Sequence, residues 1–388
     1  MKRREFCRQL SAAGGMVMIS PLLHACQLVT PSGAANEPLP TARPTQPPTL
    51  SATPSPFPSA TAVSTPTATP TSEPQPTPTL QPTAETDVAY VALVKTRDRA
   101  TGAKQAIDLL AINPARNLPV LLKPNFNSAD PAPASTHPDI LRSLILSLQA
   151  MGARTITIGE RSGMGDTRQV MQQKGVFDLA DELGLATAVF DELDETEWVI
   201  RQSNDHHWPD GFAVPKMLLD APCVVQTCNL KTHRFGGHFT LSLKNSVGFA
   251  AKTVGSGGPN YMTQLHNSTY QRQMIAEINT VYTPALIVID GVETFTSGGP
   301  DSGTLVQPEV VLVGTDRIAL DAVGVAILRL FGTTSEVSQG SIFAQAQIAR
   351  AVELGLGIDS PAKIRFVTGD IASQAFADRI NNILNEAI

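Results

Sequence analysis

From residue 88 onward, short apolar runs alternate with amphipathic stretches, and the spacing predicts an order of elements. Residues 88–94 (VAYVALV) are almost uninterruptedly apolar, the pattern of a strand buried on both faces. Residues 102–112 follow with helical spacing, and 119–122 form a second strand. Thr136 stands where a cap should be for a helix reaching Met151, with Pro138 in its first turn, where a missing N–H costs little. Residues 154–159 (RTITIG) read as another strand, 168–174 and 176–184 as helical stretches, and 187–190 as extended. Beyond a polar insert at 191–211 the alternation resumes. It gives strand 223–227, helix 269–281, strands 286–290 and 310–313, helices 317–330 and 342–354, strand 363–367 and a last helix from about Ser373. Strands joined through helices need crossover connections, so the expected fold is α/β, a mainly parallel sheet with helices on both faces. Residues 87–388 are enough for one large domain or two lobes, with 191–211 as the natural seam.

Ahead of residue 87 the pattern is different. Lys2-Arg3-Arg4-Glu5-Phe6 is a basic start with paired arginines, and the apolar run at 10–25 is broken by Gly14, Gly15 and Pro21. About 20 unbroken apolar residues are needed to span a bilayer. Residues 1–25 therefore read as a cleavable export signal of the twin-arginine type. Leu23-His24-Ala25-Cys26 resembles a bacterial lipobox, which makes Cys26 the first mature residue and its lipidation site. The alternative is ordinary cleavage beside an incidental cysteine. Half of the chain's 30 prolines fall between 31 and 84, among threonine, serine and alanine, with too little apolar surface to offset ordering entropy. Residues 26–86 are accordingly expected to be a Pro/Thr-rich disordered tether, with an upper-limit reach on the order of 160 Å at about 3.1 Å per residue. The folded part, 87–388, would then be held on the outer face of the cell membrane by a lipid on Cys26.

Charge narrows the partners. The formal net charge is −6, and it becomes more negative once the basic leader is removed. With basic residues scattered along the chain, nucleic acid is not an expected partner. Of four cysteines, Cys223 and Cys228 alone lie in the folded part. On one strand their Cα atoms would be roughly 16 Å apart at about 3.3 Å per residue, well beyond the reach of a disulfide. Two buried thiols are expected. No CxxC pair or Cys/His finger spacing occurs, so neither an iron–sulfur cluster nor a structural zinc is expected.

Ligands of open α/β sheets bind beyond the carboxyl ends of the strands. The residues following the predicted strands are unusually polar: Lys123 and Asn125, Glu160, Asn229 and Lys231, Asp290, Asp316. The densest stretch is 229–249, NLKTHRFGGHFTLSLKNSVGF, with Lys231, His233, His238, Lys244 and Asn245. Lysines there can hold an anion, or one can act as a base if burial lowers its pKa. Histidines can move protons or bind a metal. The spacing of His233 and His238 across Gly236-Gly237 fits a loop, and residues from Phe239 look helical. Several candidates also have a structural reading: Lys123 could be a solvated loop lysine, Asp290-Gly291 is a turn signature, Asp316 could cap the next helix, and His137 stands in a first helical turn. The glycines around Met164 do not complete GxGxxG, because Arg168 occupies the last position. With no GxSxG elbow and no plausible cysteine nucleophile, acid–base or metal-assisted chemistry is preferred to acyl transfer.

The stretch 229–249 resembles the core signature of the bacterial and archaeal family named domain of unknown function 362. Further matches follow the same order: LLKPNFN at 121–127, THPDIL at 136–141, IGE at 158–160, IDG at 289–291, GGP at 298–300 and VGTDRIALDAVG at 313–324. The resemblance implies no established general activity. Some members carry ferredoxin-type cysteine motifs, which this chain lacks. A distant similarity to nickel-dependent lactate racemase carries no residue across. The leading expectation is a membrane-anchored extracytoplasmic enzyme acting on a small anionic substrate. Lys231, His233, Lys244 and Glu160 are its candidate catalytic residues, and Lys123, Asn125, Asn245, His137, Asp290 and Asp316 its candidate binding residues. One alternative is a solute- or envelope-binding lipoprotein without chemistry. Another is a metal-binding protein using His233 and His238, with a divalent metal as cofactor.

Overall fold

A computed structural model describes residues 88–386; the expected signal at 1–25, Cys26 and the tether at 26–86 lie outside the described residues. The strands are β1 (Ala89–Lys95), β2 (Pro119–Lys123), β3 (Thr155–Glu160), β4 (Ala186–Val189), β5 (Trp198–Arg201), β6 (Phe212–Pro215), β7 (Cys223–His233), β8 (His238–Thr240), β9 (Pro284–Gly298), β10 (Gly303–Val306), β11 (Val310–Gly314) and β12 (Ile364–Val367). Ten of them make one sheet in the order β12-β1-β11-β9-β7-β2-β3-β4, with β10 added to β9 and β8 to β7. From β9 through β4 every neighbour is parallel, as is the β1–β12 pair. β11 runs against both of its neighbours. The reason is the connection: β9 returns through β10 to β11 without a crossover helix, and only antiparallel strands can be joined so.

Helices cover both faces, and strand alternation divides the core accordingly. Ala92, Val94, Val120, Leu122, Ile156 and Ile158 pack under the helices Arg99–Leu110 and Pro138–Ala150. Val91, Leu93, Ile287 and Ile289 point the other way, toward Arg317–Leu330 and Ile371–Asn385. Leu121 and Val224 meet a third cluster built around Trp208, Phe249 and Tyr261. The polar insert contributes β5, which pairs antiparallel with β6 just after the insert, and the chain then re-enters the large sheet as β7 beside β2. No helix among the described residues is long and apolar enough to cross a membrane.

Several local expectations change. β7 runs on to His233 and β9 to Gly298, because the two pair in parallel far past the expected ends, Asn229 opposite Asp290 and Lys231 opposite Phe295. Asp290-Gly291 is therefore strand interior, not a turn. Phe239 and Thr240 are not helical: they return as β8 against β7, pairing with Thr232 and Lys231. The helix begins only at Ser242 and spans Ser242–Asn245, followed by a 3-10 turn, Ser246–Phe249. The cap of Pro138–Ala150 is His137, whose Nδ1 accepts from Asp139 N, while the Thr136 hydroxyl accepts from Asn125 N at 2.8 Å.

Candidate functional site: a cationic crevice between β2 and β7

The chain steps outward along the sheet through β2, β3 and β4, then crosses back to place β7 on the other side of β2. Such a reversal of strand order opens a crevice beyond the carboxyl ends of the two strands, where open α/β sheets bind ligands. Lys123 ends β2, Glu160 ends β3 with Arg161 directly after it, and Lys231 and His233 stand on the last turn of β7's pleat. Lys244 and Asn245 enter from the short helix Ser242–Asn245. All of these, with Asn125 and Thr240, line one cavity of about 50 Å³. At about 10–15 Å³ for each water, that is room for roughly three to five waters, or a small anion.

Most of the charged groups are committed. Lys123 and Glu160, each 1% exposed, form a buried ion pair. Lys123 also donates to Pro124 O at 2.7 Å, and Glu160 accepts from the N–H groups of Phe126 and Arg161, both at 2.8 Å. Burial is the larger influence on both partners, lowering the lysine pKa and raising that of the glutamate against their mutual attraction. Arg161 meets backbone carbonyls instead of a carboxylate: its side chain donates to Ala250 O at 2.9 Å and to Val247 O, bracing the turn that carries Gly248. Lys231, fully buried, donates to Pro133 O at 3.1 Å, to Ala134 O and to Asn125 Oδ1 at 3.3 Å. Asn125 in turn donates to Asn245 Oδ1 at 3.2 Å, and Asn245 to Gln226 Oε1 and Thr227 O.

Three polar groups on residues that line this cavity have no partner among the described residues. Lys244 Nζ makes neither a hydrogen bond nor an ion pair there. His233 Nδ1 and Thr240 Oγ1 are buried and unsatisfied. Burial, reinforced by the positive charge of Lys244, lowers the Lys231 pKa to about 7; burial and Arg161 lower Lys244 to about 7. Burial and then the two lysines push His233 well below the usual imidazole range, so its ring is neutral at pH 7. The crevice thus gathers three lysines, an arginine, a neutral imidazole and one carboxylate, and the carboxylate is already paired.

Four expected site residues lie elsewhere. Asp290 does not line the crevice; it accepts from Arg99 Nε at 2.8 Å and from Val292 N, and Arg99 also reaches Glu293. His137 caps its helix beside that group. Asp316 caps Arg317–Leu330, accepting from Ile318 N and Ala319 N at 2.8 Å, and ties down Ile358 N. His238 is the cross-strand neighbour of His233, and both line a separate cavity of about 370 Å³ with Arg234 and Glu336. No three His, Cys, Asp or Glu side chains converge as a metal-binding group among the described residues. Cys223 and Cys228 are free and buried.

Sequence reasoning overlooked two residues. Arg161 had a usable signal, its place immediately after a strand end. Asp321 lies inside the helix Arg317–Leu330 and is fully buried; its carboxylate accepts from Ser242 N at 2.7 Å and from Leu243 N at 3.2 Å, capping the short helix that carries Lys244. A lone acidic residue in the apolar run RIALDAVGVAIL was its only mark.

A family model described as Domain of unknown function (DUF362) matches residues 120–326. No curated protein matches the chain. Among solved structures, the lactate racemase apoprotein from Thermoanaerobacterium thermosaccharolyticum is similar at 16% identity and a TM-score of 0.35, over 54% of this chain and 50% of that one. The chain thus spans half the length of that protein.

Proposed function

The chain belongs to the Domain of unknown function (DUF362) family, and we propose that within it this protein is an enzyme that binds a small anion in the β2–β7 crevice and moves a proton on it. The observation that carries the reading is the unpartnered Lys244 ammonium beside Lys231 and Arg161 in a cavity with no free carboxylate. Like charges gathered out of water are costly unless a counter-charge joins them. A carboxylate or a phosphate of a few heavy atoms supplies it. Lys231 and Lys244 then hold the anion, Asn125 and Asn245 orient it, and the neutral His233 presents an unpartnered ring nitrogen to its polar end. A lysine with a pKa of about 7 has the ordinary match of a general acid–base group to neutral pH. The neighbouring cations stabilise negative charge that develops when a proton is taken.

Calorimetric titration of the purified chain with acetate, formate and phosphate tests the binding half. Saturable binding that Lys244→Met weakens at least tenfold is expected; no binding by any of the three at millimolar concentration defeats the proposal. The chemical half is read by proton NMR in deuterium oxide, as exchange of carbon-bound hydrogen next to the carboxylate of the bound acid. Binding without exchange across a panel of small carboxylates would favour the solute-capturing alternative. The proposal places this domain outside the cell membrane, with Cys26 carrying the lipid.

A further inference from the structure

Resting on the small-anion reading, we propose that the substrate class of the crevice is a small 2-oxo acid, and that Lys244 bonds covalently to its carbonyl carbon as a Schiff base. The argument begins with which amines are free. Lys123 is tied to Glu160 and to Pro124 O. Lys231 donates to three oxygens and cannot leave them without orphaning buried carbonyls. The Arg161 guanidinium is engaged by backbone carbonyls. Lys244 alone among the cavity's amines has no acceptor in the described residues, so attack on a ligand breaks no protein hydrogen bond.

Its placement also suits a nucleophile. Gly237 lies flat against its stem: a Cβ there would fall 2.6 Å from Lys244 Cε and 3.2 Å from His233 Nδ1. The amine therefore reaches the cavity beside the one neutral imidazole. Asp321, through the N–H groups of Ser242 and Leu243, fixes the helix from which it projects. A lysine desolvated next to other cations keeps part of its population as free amine near neutral pH, the usual route to Schiff-base lysines. Lys231 and Arg161 keep their protein hydrogen bonds, and their charges attract a carboxylate on the adjacent carbon, with the 2-oxo carbon toward the amine.

The step balances without an oxidant or reductant. The neutral amine nitrogen adds to the carbonyl carbon, and its proton passes to the oxygen to give a carbinolamine. One further proton from solvent converts the hydroxyl into water, which departs as the nitrogen lone pair forms the C=N bond. The product is an iminium whose positive charge is offset by the negative carboxylate beside it.

The test incubates the purified full chain with pyruvate at pH 7 and adds sodium borohydride, which reduces an iminium to a stable secondary amine. Intact mass should rise by one reduced pyruvyl group, peptide mapping should place it on Lys244, and excess acetate should suppress it. Lys244→Met removes the adduct, as does Lys244→Arg, which keeps the charge but cannot form an imine. Acetate binding with no adduct, or an adduct on another lysine that acetate does not suppress, overturns the inference and leaves the anion site standing. Absence of acetate and pyruvate binding altogether overturns the anion site as well.

Discussion

The anion site makes a quantitative demand on pH. Two lysines with pKa values lowered to about 7 line the cavity, and a bound anion is attracted to them only when they are protonated. Between pH 6 and pH 8 the protonated fraction of such a group falls from about 0.9 to about 0.1, roughly tenfold. Apparent affinity follows the competent fraction. The dissociation constant for acetate, itself fully ionised over that range, should therefore rise about tenfold if one lysine must be charged and about a hundredfold if both must. Lys244→Met separates these cases. It deletes one titrating group and also the positive charge that helps to lower Lys231, so the pKa of the remaining lysine moves up. In the variant the fall in affinity should become shallower and shift to higher pH. Calorimetry in two buffers of different ionisation heat counts the protons taken up on binding, with uptake near pH 7.5 expected in the wild type and less in the variant. A dissociation constant that changes by less than about twofold between pH 6 and 8, or an identical pH profile in Lys244→Met, refutes the assignment of these lysines to the site.

The same depressed lysine sets a linkage on stability. Lys244 has a folded pKa below its unfolded one, so the unfolded chain binds more protons between about pH 7 and 10.5, and the wild type gains on Lys244→Met as pH rises from 7 to 9, by at most about 1.4 kcal/mol per unit; urea titrations at three pH values measure it, and a difference that is flat or of opposite sign contradicts the burial of the amine. Glu160→Ala leaves the Lys123 ammonium buried without its partner, and a loss of about 3–5 kcal/mol is expected in denaturant unfolding. In Gly248→Ala the new methyl would fall 2.5 Å from Lys123 Nζ and 3.0 Å from Glu160 Oε1, so acetate affinity should drop along with a stability loss of about 1–3 kcal/mol. For the leader, Cys26→Ala should abolish incorporation of labelled fatty acid and release the chain from the membrane fraction, and unchanged labelling would remove the lipid anchor from the proposal.

Much of this molecule could be read from its sequence, and the limits follow from physics. The β–α alternation is local and periodic, so most of the longer strands and helices between residues 88 and 385 were legible, while β5, β6, β8 and β10 and the far ends of β7 and β9 were not. The strand-end rule brought Lys123, Asn125, Glu160 and Lys231 to one crevice, because in parallel strands the carboxyl ends share one edge, and the dense stretch 229–249 added His233, Lys244 and Asn245. That rule failed for Asp290 and Asp316. β9 does not end at Asp290, since its partner β7 extends alongside it and pairing partners are not encoded locally. Asp316 follows β11, the one reversed strand of the main sheet order, whose carboxyl end points to the opposite edge. The same reversal explains why a helix cap was the better reading there.

The polar character of β7 is the harder feature. Gln226, Thr227, Asn229, Lys231, Thr232 and His233 are all buried on a central strand, a composition that would argue against burial on hydrophobicity alone. What permits it lies in distant parts of the chain: carbonyls of the 133–135 loop receive Lys231 and Asn229, the Asn245 side chain meets Gln226, and Phe295 O receives Thr232. The groups left without partners are therefore informative. Thr227 Oγ1 and Asn229 Oδ1 stay unmet inside the strand, whereas His233 Nδ1, Thr240 Oγ1 and the half-buried Lys244 Nζ belong to residues that line the same small cavity, and leaving a buried polar atom such as the first two of these unmet costs about 1–3 kcal/mol each. A ligand that accepts from the ammonium and the threonine hydroxyl and meets the imidazole would recover that cost. Those three open groups, more than the density of charge in the stretch 229–249, define the shape of the ligand.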